Sequence, residues 1–142
     1  MLVLVLALVV GSCGHSSASA PDRAAHATPK DDPSCPVLVP GTSVTVEDMP
    51  TAGAALVFVT TGDVAQVRQR ATRLADMHNK HDGPASAMGM MITTSSTANE
   101  ADVDNGARVE LVANKPDDVG SLQSELRMHA KHLASGSCEM AM

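Results

Sequence analysis

The stretch Ala55-Leu56-Val57-Phe58-Val59-Thr60-Thr61-Gly62-Asp63-Val64 contains the change of period on which the fold turns. Its first six residues are rich in β-formers and read as a strand. Thr61-Gly62 ends that run. Asp63 then opens a helix, because a short acidic side chain accepts hydrogen bonds from the free N–H groups of a first turn and suits its positive end. Beyond it Val64, Val67, Ala71 and Leu74 recur at i, i+3, i+7 and i+10, the stripe of a helix that buries one face. The same passage returns later. Ala107-Arg108-Val109-Glu110-Leu111-Val112 alternates as a strand, and Pro116-Asp117-Asp118 leads into a helix with Asp117 or Asp118 as N-cap. Val119, Leu122, Leu126 and His129 hold the same offsets, and Leu133 extends them.

Each passage is preceded by a second strand. In the first half Ser43-Val44-Thr45-Val46-Glu47 alternates and Asp48 to Gly53 supplies the turn. In the second half Met91-Ile92-Thr93-Thr94 is expected as the strand and Asp104-Asn105-Gly106 as the turn. Two β-β-α repeats predict an α+β domain over residues 41–135, an antiparallel four-stranded sheet with two helices on one face. That length suits one domain. With one Phe, no Tyr and no Trp, its core must be filled by Val, Leu, Ala and Met.

The chemistry-bearing pattern is Met-His-x-Lys-His, which occurs as Met77-His78-Asn79-Lys80-His81 and again as Met128-His129-Ala130-Lys131-His132. Sulfur follows both copies: Met88, Met90 and Met91 after the first, Cys138, Met140 and Met142 after the second. Imidazole and thioether together favour copper, Cu(I) above all, over hard cations. Histidines three apart on a helix have Cβ atoms about 5 to 6 Å apart, a separation at which two nitrogens converge on one ion. His129 falls where the first stripe has Leu74, and His78 continues that stripe at i+14, so both are expected to face inward. The candidate ligands are therefore His78, His81, His129 and His132, with Met77 and Met128. Parallel helices would let four imidazoles share an ion. Antiparallel helices would leave two separate sites, each completed by methionine.

A plainer reading stands beside this one. Histidine on an apolar stripe can be a core residue with one satisfied hydrogen bond, imidazole in a last turn complements the helix dipole, and methionine fills irregular cores. On that reading the chain is a small structural or protein-interaction module. Catalysis finds no support, since no nucleophile elbow, HExxH, phosphate loop or dinucleotide motif is present. A net charge of −6 and ten Lys and Arg without a basic run disfavour nucleic acid.

The beginning of the chain bears on address. Leu2 to Val10 are nine apolar residues without charge, about half of the roughly 20 needed to span a bilayer, and fit the core of a secretion signal over residues 1–12. Val10-Gly11-Ser12-Cys13 resembles the lipobox of bacterial lipoproteins. That resemblance covers 13 residues and implies cleavage before Cys13, lipid on its sulfur, and a membrane-anchored protein of the cell envelope, periplasmic or on the outer face. Residues 13–40 then form the lipidated cysteine and a tether, because the Ser-, Ala- and Pro-rich run Gly14 to Pro40 lacks the apolar surface to fold. Three cysteines are present, and if Cys13 carries lipid, one pair remains. Cys35 and Cys138 are expected to join as a disulfide in an oxidising compartment, the alternative being Cys138 as a metal thiolate. Residues 136–142 form a C-terminal Cys/Met tail.

Overall fold

The computed structural model describes residues 32–80, 92–136 and 138. The expected signal, Cys13, His81, Met88, Met90, Met91, Met140 and Met142 lie outside the described residues. Four strands, β1 (Thr42–Met49), β2 (Gly53–Thr60), β3 (Ser96–Val103) and β4 (Gly106–Ala113), alternate with two helices, α1 (Val64–Lys80) after β2 and α2 (Val119–Ala134) after β4. The strands form one antiparallel sheet in the order β1-β2-β4-β3. The architecture is the expected α+β arrangement of two β-β-α units.

Register places the apolar positions of all four strands on one face. Val44 pairs with Phe58, Leu56 with Val109, and Ala98 with Leu111. Both helices bury their stripes there: Val67, Ala71, Leu74, Ala75 and His78 from α1, and Leu122, Leu126, His129, Ala130 and Leu133 from α2. Phe58, Leu56, Leu122 and Leu126 are the largest side chains fully withdrawn from solvent. At about 1.5–3 kcal/mol for each large aliphatic or aromatic side chain buried, this seam is the main favourable term in the fold.

The helices are exchanged between the units. α1 packs chiefly on β3 and β4, and α2 on β1 and β2. Early in α1, Arg68 donates to the Gly106 and Val103 carbonyls at the β3–β4 turn, 3.0 Å each. At its end, Asn79 donates to the Ala98 carbonyl at 2.9 Å, near the start of β3. Correspondingly, Gln123 early in α2 donates to the Gly53 carbonyl at the β1–β2 turn, 3.0 Å, while Leu133 near its end shares a cavity with Thr42, Ser43 and Val44 of β1. So α1 runs with β4 and α2 with β2. Because β2 and β4 are antiparallel, the helices are antiparallel too.

Two glycines make the central pairing possible. Gly53 and Gly106 open β2 and β4, and a Cβ on either would lie within 2.0 Å of the Leu111 carbonyl oxygen or 1.8 Å of that of Phe58. Asn105 takes a positive φ of 56° in the β3–β4 turn, a conformation its short polar side chain tolerates.

Two expectations are corrected. The strand expected at Met91–Thr94 begins instead at Ser96. Ile92 is a buried core residue, and the Thr93 and Thr94 amides donate to the Glu125 carboxylate of α2 at 2.9 and 3.0 Å. The tether expected through Pro40 ends sooner. Ser34, Cys35, Pro36 and Val39 are buried, with a 3-10 turn at Pro36–Leu38. Arg70 of α1 holds this segment by donating to the Asp32 and Cys35 carbonyls at 2.7 and 3.2 Å. An anchor residue in the helix and a disulfide do what apolar content alone did not promise. Cys35 and Cys138 are joined, with Cα atoms 6.0 Å apart, inside the usual disulfide span.

Candidate metal centre

The antiparallel helices separate the two repeated strings. His78 lies at the C-terminal end of α1, against β3. Its Nε2 is 3.1 Å from the Ser96 carbonyl and 3.0 Å from Ser96 Oγ. A carbonyl only accepts, so the bond to it places a proton on Nε2. Around it are Leu56, Leu74, Ile92, Ala98, Val109 and Leu111, an apolar pocket in which one satisfied hydrogen bond suffices. Its string partner His81 lies outside the described residues. Met77 is half-buried.

His129 and His132 occupy a different place. They sit one turn apart on α2 and line a small cavity with Asp32, Ser34, Cys35, Pro36, Leu74, Leu133 and Cys138. The cavity measures about 20 Å³, room for about one water-sized occupant. His129 is only 4 % exposed, and its Nδ1 is buried without a hydrogen-bond partner among the described residues. Burial, and after it the charge of neighbouring His132, pushes this imidazole down to about 4. At neutral pH the ring is therefore uncharged and keeps a lone pair, the state in which histidine ligates metals. Met128 points away and is 53 % exposed.

The sequence thus placed both inner histidines correctly on the buried faces, but they serve two different surroundings. His129 lines one cavity and His78 another. As the side chains stand, no group of three or more His, Cys, Asp or Glu among the described residues is gathered to hold an ion. What the sequence did not disclose is that Asp32, Ser34 and Cys35 form the wall opposite His129. The signal available for it was the cysteine pair, which ties residue 35 to the end of α2. No protein-family model, curated protein or solved structure matches the chain.

Proposed function

We propose that this chain is a non-catalytic lipoprotein of the bacterial cell envelope that binds a soft transition metal, copper foremost, with His129 and His132 as the primary ligands. One observation carries the reading: a buried imidazole whose Nδ1 has no partner among the described residues stands one helical turn from a second imidazole in a cavity of about one water's size. An unsatisfied buried nitrogen costs about 1–3 kcal/mol, a cost that metal coordination would remove. Leucine, which stands at the equivalent place in α1 as Leu74, would fill the position without that cost. His78 favours the second reading, a structural or interaction module, at its own end of the fold, since its Nε2 is taken up by Ser96. A separate ion there would need Nδ1 of His78 together with His81.

Anaerobic titration of the full-length, disulfide-bonded chain with Cu(I), and separately with Cu(II), tests the assignment. The His129→Ala/His132→Ala double variant should lose at least tenfold in affinity, and Lys131→Ala should match the wild type. Equal binding by wild type and double variant would leave the interaction module as the reading. The address is tested apart from the metal: Cys13→Ser should move the protein out of the membrane fraction, and unchanged partitioning would remove lipidation.

A further inference from the structure

The cavity that holds His129 and His132 is also lined by both cysteines. Two sulfurs and two imidazoles are the donor set of a tetrahedral Cys2His2 centre. With the sulfurs bonded to one another, neither is a thiolate. We propose that reduction of the Cys35–Cys138 disulfide turns this cavity into a site for one thiophilic d10 ion, Zn²⁺ or Cu(I), held by Cys35, Cys138, His129 and His132. This rests on the preceding reading in taking the two histidines as ligands, and adds to it the thiolates and a redox gate.

The balance is simple. A dithiol reductant delivers two electrons and two protons, its own sulfurs join, and the Cys35–Cys138 bond opens to two thiols. Binding of the ion then releases the two thiol protons to solvent. A disulfide oxidant reverses the change by thiol–disulfide exchange: its own S–S bond takes the two electrons and two solvent protons to become two thiols, the Cys35–Cys138 bond re-forms, and the ion is released.

Geometry permits the change. Ligand bonds of about 2.3 Å in a tetrahedron put two sulfurs about 3.8 Å apart, and Cα atoms 6.0 Å apart allow that through side-chain rotation about χ1. Cys35 has contacts besides the disulfide that fix its position. Arg70 grips the Asp32 and Cys35 carbonyls, and Asp32 Oδ1 accepts from Ser34 N and Oγ at 2.8 and 2.7 Å. His129 is fixed by its helix. The adjustment then falls mainly to the side chain of Cys138. A purely structural disulfide has no use for a buried imidazole beside it whose Nδ1 has no hydrogen-bond partner among the described residues.

Cobalt reports such a centre by colour. The full-length chain, reduced with a phosphine and freed of it anaerobically, is titrated with Co²⁺ beside the oxidised protein. The reduced protein should take one Co²⁺ with thiolate-to-cobalt charge-transfer absorption and tetrahedral d–d bands, both displaced by Zn²⁺ or Cu(I). The oxidised protein should show neither band. His129→Ala/His132→Ala should weaken Co²⁺ binding at least tenfold, and Cys35→Ser/Cys138→Ser should abolish the charge-transfer band. Circular dichroism runs alongside. If reduction unfolds the chain, Co²⁺ should refold it, because ligand binding and folding are then one equilibrium. A reduced protein that stays unfolded with Co²⁺, that stays folded without a charge-transfer band, or whose band ignores the histidine variants overturns the proposal. Copper binding by the oxidised protein without any cobalt–thiolate band would keep the preceding reading and sink this one. A histidine-dependent cobalt band without copper binding by the oxidised protein would do the reverse.

Discussion

At the scale of single residues, the two helices exchange one pair of side chains. Positions ten and fourteen residues after the first of each helix are Leu74 and His78 in α1, but His129 and Leu133 in α2. Periodicity alone put all four on the inner face, and all four are buried. It did not say that His78 would meet Ser96 while His129 Nδ1 would find no partner among the described residues, because hydrogen bonding depends on strand positions that a helical stripe does not contain. The difference has a pH consequence. As pH falls, the unfolded chain protonates this ring through its ordinary value of 6.5, whereas the folded chain resists until about 4. Between these values the unfolded state binds more protons, so stability falls with pH. At about 1.4 kcal/mol per pH unit, the full loss approaches about 3 kcal/mol once the pH is below the folded value. His129→Leu should remove that component. Urea unfolding of metal-free wild type and variant at about pH 7.5 and about pH 4 would measure it. Equal pH-dependence of the two proteins would mean that His129 is not buried neutral.

At the scale of elements, both helix starts read alike in sequence and differ in the structure. Asp63 Oδ1 accepts from the Gln66 amide at 3.0 Å, so it caps α1. Asp118 stands at the N-cap of α2 but makes no side-chain cap bond, since the 3-10 turn Pro116–Asp118 already leads the chain into the helix. Asp63→Ala should therefore cost about 1 kcal/mol, and Asp118→Ala only the few tenths owed to the helix dipole. Chemical denaturation of the two variants decides it: equal losses would show that the caps are equivalent. The misplaced strand has a related cause. Ser96–Val103 reads Ser-Thr-Ala-Asn-Glu-Ala-Asp-Val, which has little intrinsic β character. It is a strand because the Asp104-Asn105 turn folds it back onto β4, with Val103 opposite Gly106 and Ser96 opposite Ala113. The turn was legible, and counting back from it gives the register. Local propensity pointed instead to Ile92-Thr93-Thr94, which has the better β-formers and is committed to Glu125 and the core.

At the scale of the whole molecule, the exchange of helices between units makes the two halves interdependent. Neither β-β-α unit covers its own strands, so the repeat seen in sequence is not two small domains but one core with a shared seam. The repeat, the sheet and the common helix face could all be read from periodicity. The exchange could not, because either pairing of helix with strands satisfies the same stripes. Onto this core the disulfide closes nearly the entire described chain, with Cys35 and Cys138 separated by 103 residues in sequence. On the chain-entropy model a loop of that size constrains the unfolded state by about 4 to 5 kcal/mol. Such a contribution would be a large fraction of the roughly 5–15 kcal/mol typical of a domain, and this core has a single aromatic side chain to set against it. Metal-free protein with the bond reduced should therefore unfold at markedly lower urea than the oxidised form, by about 4 kcal/mol in extrapolated stability. Cys35→Ser and Cys138→Ser should each reproduce that loss without any reductant. A difference below about 1 kcal/mol would show that Arg70 and the buried Cys35–Val39 segment hold the N-terminal wall unaided. The bond would then be an addition to a fold that is complete without it.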